Sequence, residues 1–270
     1  MAAIIEAVIL GVVQGLTEFL PISSSGHLIL AEWATGWTGE LMNSLTFDVA
    51  LHVGTLAAVL WYFWRDWLKF FKAVVNVARG RAAAYEARLV TYIGLATVPA
   101  VVAGLLFEKT VETLFRNPLL VAAALAMGSL LMWLADRYSA RSGQLGSMSL
   151  GHALFIGVAQ AFALIPGISR SGITITAALA AGYRREDSAR FSFLLSTPVI
   201  GGAAVLKVHD ITFQGHAAWG CILGTLSSAV VGYLAIRFLL RYLERHSLTL
   251  FVWYRLALAG AVVLFWGLHR

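Results

Sequence analysis

Charge is what this 270-residue sequence has least of: 13% of its residues are Asp, Glu, Lys or Arg, against about 25% in soluble domains. A soluble domain is excluded, because an apolar share of 59% and a mean hydropathy of +0.78 leave too little polar surface to cover one. A single cysteine, Cys221, excludes an internal disulfide and a thiolate metal cluster. Basic residues are missing before Arg65, so the apolar N-terminal stretch lacks the basic start of a cleaved leader and is expected to remain in the mature protein. The net charge of +6 is expected on cytoplasmic loops and not on a nucleic-acid surface, so no nucleic-acid partner is expected.

What the sequence does contain is apolar runs, six of them long enough to cross a bilayer: 46–64, 89–107, 118–135, 190–206, 217–236 and 249–267. Four others, 2–19, 23–37, 150–165 and 171–182, are short or interrupted by proline and polar residues and form two broken pairs. Arg65, Lys69, Lys72, Arg79, Arg81 and Arg88 crowd one loop, which is therefore expected in the cytoplasm. Counting onward, 108–117 (Glu108, Lys109, Glu112, Arg116) and 207–216 fall outside, while Arg137, Arg141, Arg237, Arg241 and Arg245 fall inside. The first 45 residues then begin and end outside, whereas 150–183 begin and end inside, flanked by Arg184, Arg185 and Arg190. The expectation is a single all-α polytopic membrane domain over 1–270, with about six transmembrane helices and two re-entrant broken-helix pairs.

The broken pairs resemble each other. Q-G-L-T-E-F-L-P-I-S-S-S-G-H runs from Gln14 to His27, and Q-A-F-A-L-I-P-G-I-S-R-S-G from Gln160 to Gly172. Gln14 and Gln160, Ser23 and Ser169, Ser25 and Ser171, and Gly26 and Gly172 are each 146 residues apart, and Pro21 and Pro166 are 145 apart. Three crossings lie between the copies, so the second is inverted. Repeats over approximately 1–107 and 146–240 are expected, with a site where the breaks meet near the midplane. A duplication kept only for close packing of small residues would account for the spacing, but not for Glu18, His27 and Arg170.

Ionisable groups at membrane depth are costly, by about 2.5–3.5 kcal/mol or more, and mark functional sites. After Pro21, Ser23, Ser24, Ser25 and Gly26 begin a helix; after Pro166, Ser169, Arg170, Ser171 and Gly172 begin another, with Thr174 one turn along. Helix starts bind phosphate, and a guanidinium fork matches its oxygens. With the Glu18 carboxylate and the His27 imidazole added, the set suits phosphoryl transfer. Readings without a ligand exist: a serine N-cap, a core histidine, or a structural Glu18–Arg170 pair. Asp48 and His52 at i, i+4 give a weak metal signal, and Gln160 is a further polar group in an apolar run. His152, His209, His216, His246 and His269 fall at loops or span ends and are expected to be solvated. Trp33, Trp37, Trp61, Tyr62, Trp64, Trp67, Tyr242, Trp253 and Tyr254 fit interfacial belts.

These two motifs closely resemble the signatures of the bacterial undecaprenyl-diphosphatase family of the bacitracin-resistance type, as do F-D-V-A-L-H-V-G-T from Phe47 and F-S-F-L-L-S-T-P from Phe191. The resemblance covers essentially the whole chain. It implies a phosphatase of the inner membrane that removes the terminal phosphate of the C55 polyprenyl diphosphate lipid, aided by Mg2+ or Ca2+, and regenerates the carrier for peptidoglycan. Glu18 matches the second acidic position of the family motif, Gln14 the first, Ser23 and Ser24 the serine pair, His27 the histidine and Arg170 the second-motif arginine. Gln14 is neutral, so the resemblance implies at most one carboxylate there, with Gln14 a companion to Glu18 at the cation. Ser25 stands where some members have threonine.

The nucleophile is left open among Ser24, His27 and a water. Phosphate contacts are expected from Ser23, Ser25, Gly26, Ser169, Ser171, Gly172 and Thr174, in a cavity facing the periplasm. The rival reading is a transporter or flippase of a polyprenyl-phosphate lipid, since inverted repeats with midplane breaks are also a transporter architecture. So apolar a surface leaves room for a homodimer, though no sequence feature demands one.

Overall fold

The computed structural model describes residues 2–35, 45–81, 85–114, 117–207 and 216–268. Trp37, Arg116, His209 and His269 lie outside the described residues, as do the side chains of Glu108, Lys109, Glu112 and His216. Among the described residues the structure is all-α: α1 (Ala2–Phe19), α2 (Ser24–Thr35), α3 (Leu45–Tyr62), α4 (Trp64–Ala78), α5 (Tyr85–Leu114), α6 (Pro118–Tyr138), α7 (Leu150–Ala161), α8 (Arg170–Ala180), α9 (Arg185–Lys207), α10 (His216–Leu243) and α11 (Thr249–Leu268). Among the described residues five helices are long and apolar enough to cross a membrane, over 85–107, 118–138, 185–207, 218–243 and 249–268, and the bent pair of α3 and α4 is apolar enough for a sixth crossing when taken together. The chain is a multi-pass membrane protein.

The stretch expected as a basic loop after residue 64 is instead mostly helix. α4 leaves α3 at a 74° bend and alternates with a helical period: Phe70 and Ala73 are buried, while Arg65, Lys69 and Lys72 are exposed. An amphipathic helix with a basic face suits the plane of a membrane interface. The charges break the apolar run of the sequence there, but Phe70 and Ala73 are spaced between them to bury one helical face.

The basic segments gather at one end of the molecule. Arg190, early in α9, pairs with Asp66 on α4 at 2.7 Å. Arg185, at the start of α9, pairs with Asp136 at the end of α6, and the other oxygen of Asp136 accepts the Leu248 N–H just before α11 at 3.1 Å. His152 Nδ1, early in α7, lies 2.9 Å from the Tyr183 hydroxyl just beyond α8, so the second broken pair leaves and returns to this same end. The first pair uses the opposite end: Trp33 late in α2 meets the Phe265 ring at the end of α11 with centroids 4.8 Å apart.

Small residues let the broken helices sit deep between the spans. α1 packs on α10 and α7 on α5; α10 also packs on α3, α9 on α5, and α6 on α11. Ser227 on α10 stitches the first of these seams by donating to Val8 O, and Thr225 and Ser228 tie α10 to α3 by donating to Ala50 O and Leu51 O. On the second, Gly157 lies so close to α5 that a Cβ there would stand 2.3 Å from Ala96 O. The F-S-F-L-L-S-T-P segment is the buried face of α9, where Phe193 meets Phe19 edge-on at 5.5 Å.

Gly157→Ala is therefore expected to destabilise the detergent-purified protein by about 1–3 kcal/mol, the usual cost of overpacking. Gly146→Ala, whose Cβ meets nothing within 4 Å, is expected to melt like the parent. Equal melting temperatures for the two variants would contradict the close α5–α7 approach.

Candidate active site

Both breaks end on a serine in the same unusual conformation. Ser23 has φ 77° and Ser169 φ 74°, a left-handed backbone that costs a residue with a side chain about 1–3 kcal/mol and persists only where its surroundings compel it. Each serine caps the helix it begins: Gly26 N–H donates to Ser23 Oγ at 3.3 Å and Gly172 N–H to Ser169 Oγ at 3.1 Å. The neighbouring hydroxyls repeat the likeness, with Ser25 Oγ 3.5 Å from Ser23 Oγ and Ser171 Oγ 3.3 Å from Ser169 Oγ.

The two breaks also bond to each other. Gly167 N–H donates to Ser23 Oγ at 3.2 Å, and Ser171 Oγ donates to Leu20 O at 3.1 Å. Gly167, at φ 99°, has no room for a side chain, since a Cβ would lie 2.6 Å from Val121 O. Arg255 on α11 completes the junction: fully buried, it donates through Nη1 to Pro21 O at 3.1 Å and through Nη2 to Gly167 O at 2.9 Å, Ile168 O at 3.0 Å and Leu125 O at 3.3 Å. A guanidinium thus satisfies carbonyls that both interrupted helices would otherwise leave bare, as buried backbone groups require. The sequence reading passed over Arg255 as part of an apolar run. The available signal was an arginine inside a membrane span.

Between the breaks lies a cavity of about 230 Å³, lined by Thr17, Glu18, Ser23, Ser24, Ser25, Gln160, Ser169 and Arg170 from the two motifs, and by His52 from α3. Ala100, Val199, Ile200 and Ala203 give it an apolar wall on α5 and α9. Glu18 is its hub. Oε1 takes the Arg170 guanidinium at 3.2 Å, and Oε2 accepts from Ser24 Oγ at 2.7 Å and from Gln14 Nε2 at 3.2 Å. The Arg170 contact is through one nitrogen, and its Nε and Nη1 are buried without a partner among the described residues. The same holds for both amide atoms of Gln160 and for Gln14 Oε1. Polar atoms left bare in so apolar a setting are costly unless a ligand or water meets them. His52 Nδ1 donates to Asp48 O at 2.8 Å, so the Asp48–His52 spacing yields a ring-to-backbone contact and not a pair of metal ligands.

Several expected site residues face elsewhere. His27 does not line the cavity: Nδ1 lies 2.7 Å from Ser23 O and Nε2 2.7 Å from the Tyr254 hydroxyl, with the two rings stacked. A carbonyl can only accept, so Nδ1 carries a proton, and Nε2 is engaged by the Tyr254 hydroxyl; neither nitrogen is left for attack. Thr174 is buried in the α8–α9 seam, donating to Arg170 O at 2.8 Å and meeting Ser192 Oγ at 2.6 Å. Ser171, Gly26 and Gly172 serve the junction and its caps and do not reach the cavity. Gln14 lies buried behind Glu18.

Replacing Arg255 with leucine strips three break carbonyls of a charged donor, each such bond being worth about 1.5–3 kcal/mol. Arg255→Leu is expected to lower the melting temperature sharply, whereas Arg245→Leu on the exposed surface is not. A melting temperature unchanged in Arg255→Leu would contradict its role at the junction.

Comparison with known proteins gives the family. The family described as "Bacitracin resistance protein BacA" matches residues 7–261. A protein of Moorella thermoacetica named undecaprenyl-diphosphatase is 48% identical over 267 residues, covering 99% of each chain. Proteins of the same name from Pelotomaculum thermopropionicum, 48% identical over 261 residues and 96% of each chain, and Alcanivorax borkumensis, 48% identical over 263 residues, 97% of this chain and 98% of the other, match similarly. The chain belongs to the BacA bacitracin resistance protein family.

Proposed function

We propose that this protein is a membrane phosphatase that hydrolyses undecaprenyl diphosphate to undecaprenyl phosphate and inorganic phosphate, returning the lipid carrier to peptidoglycan synthesis and so conferring bacitracin resistance. The observation that carries the reading is Arg170 with two buried, bare nitrogens, in a cavity where a serine hydroxyl already donates to a carboxylate. A lipid transporter is the weaker reading, since the relatives bear the name of a phosphatase and transport needs no hydroxyl–carboxylate pair.

The terminal phosphate sits against Arg170 Nε and Nη1, whose fork matches two of its oxygens, and the Gln160 amide donates to a third. Ser24 Oγ attacks phosphorus as its proton passes to Glu18 Oε2. The bond from phosphorus to the bridging oxygen breaks, and undecaprenyl phosphate departs with the electron pair; as a phosphate anion it needs no proton to leave. Water then displaces Ser24 Oγ. Glu18 returns its proton to the serine, and the proton of the water stays with the released phosphate. His27 acts through Ser23: it holds the first break in place and does not touch the substrate. The protein mainly positions groups and stabilises charge, as phosphoryl transfer requires.

Among the described residues no three His, Cys, Asp or Glu side chains gather around one point. A cation at this site relies on one carboxylate, neutral oxygens and the substrate's own phosphate oxygens, an arrangement magnesium accepts. Glu18 with the bare amide oxygen of Gln160 would hold Mg2+ or Ca2+, with Gln14 steadying Glu18 from behind, and the cation would supply positive charge against the diphosphate.

The cavity lies toward the end away from the basic segments, with His52 early in α3 and Ala203 one turn from the end of α9. By the positive-inside rule that end is periplasmic and the bilayer is the bacterial inner membrane. The prenyl tail leaves between α5 and α9, past Ala100, Val199 and Ala203. Residues 1–107 and 146–240 are read as inverted repeats, which accounts for the corresponding seams and for the twin serines.

Phosphate release from undecaprenyl diphosphate by the detergent-purified protein tests the chemistry. Ser24→Ala and Glu18→Gln are each expected to lose about 10²–10⁴-fold in kcat, and near-parental rates would contradict the serine–carboxylate pair. Orientation is tested by labelling with a membrane-impermeant maleimide, against a native Cys221 that is buried. Ala203→Cys is expected to react from the periplasmic side and Gly146→Cys only after the membrane is opened; the reverse pattern would overturn the orientation.

A further inference from the structure

A second polar cavity, of about 180 Å³, opens at the basic end of the molecule, lined by Trp133, Asp136, Arg137, Arg141, Arg185, Ser247 and Thr249. Three guanidiniums and one carboxylate surround it, and that carboxylate is spent: one Asp136 oxygen holds Arg185 Nε and the other holds Leu248 N–H. Arg137 and Arg141 have no ion-pair partner among the described residues. Ser247 Oγ donates to Thr249 Oγ1 at 2.9 Å, which leaves the Thr249 O–H free to donate outward. The start of α11 adds the positive end of its dipole. The cavity therefore offers donors and positive charge, and its one carboxylate is already engaged on both oxygens.

We infer that this cavity is a binding site for a phosphate group, presented by the headgroup of an anionic lipid in the leaflet at the basic end of the protein. A phosphate monoester or diester has only acceptors to offer, and guanidinium forks fit its oxygens. Half-exposed Trp133, at 41%, and the exposed Tyr138 ring against it are interfacial side chains, so the cavity stands at headgroup depth. Basic pockets between membrane helices on the cytoplasmic side recognise lipid headgroups in this way. The positive-inside rule alone would scatter these arginines over the surface. Here Arg137 and Arg141 share one recess with Arg185, two hydroxyls and a helix start.

Native mass spectrometry of the full-length protein titrated with phosphatidylglycerol tests the site. Arg137→Gln with Arg141→Gln is expected to weaken the tightest lipid on the order of tenfold, with an unchanged melting temperature and unchanged phosphate release. Lys69→Gln with Lys72→Gln on α4 removes the same charge elsewhere and is expected to bind as the parent does. Equal affinity in the parent and the arginine variant, or an equal loss in the lysine variant, would overturn the site. Competition with millimolar inorganic phosphate separates the sources: a lipid that stays bound upholds the headgroup, and a lipid displaced only from the parent assigns the same phosphate site to the free anion.

Discussion

Two helices interrupted inside an apolar molecule leave backbone carbonyls that water cannot reach, and the rest of the structure depends on how those carbonyls are met. Arg255 meets three of them, Pro21 O from the first break and Gly167 O and Ile168 O from the second. Non-helical backbone at membrane depth is tolerated only when buried in protein or lining a cavity, and here it does both. Because one guanidinium grips both breaks, they are held at a fixed separation. Ser23 and Ser169 stay in left-handed conformations that neither would keep alone.

The chemistry follows from that separation. Each break ends in a capped helix, so the space between them receives side chains from both: Glu18 and Ser24 from one, Arg170 from the other. The charges of Glu18 and Arg170 offset each other across the cavity, as buried charges must. The pairing is incomplete, however, since the guanidinium uses one nitrogen on Glu18 and keeps two bare. The unspent hydrogen-bonding capacity is thus aimed where a phosphate would lie. A bidentate Glu18–Arg170 pair would have made a sound structural bridge and a poor phosphate site.

The spans, the two breaks and the residues of the cavity were legible in the sequence because proline, serine runs and lone charges stand out in a chain this apolar. Glu18, Ser24 and Arg170 belong to that class, and they do meet. What stayed hidden depended on partners far along the chain. His27 looks catalytic beside three serines, yet its ring is claimed by Tyr254, 227 positions away. Thr174 has the spacing of a phosphate ligand, but α9 brings Ser192 against its hydroxyl. Arg255 was hidden by its own span, and α4 by its charges; in both, a strong local pattern masked one residue type or one period that carried the structural meaning.

The most direct test of the central claim, that the diphosphate is held between the two breaks by Arg170, is the affinity of the purified protein for a non-hydrolysable methylene-bridged analogue of the polyprenyl diphosphate. Binding measured by isothermal calorimetry should survive in Ser24→Ala, which removes a reacting group, and fall by an order of magnitude or more in Arg170→Ala, which removes a charge-assisted phosphate contact. An Arg170→Ala variant that binds the analogue as tightly as the parent would place the diphosphate elsewhere and contradict the mechanism.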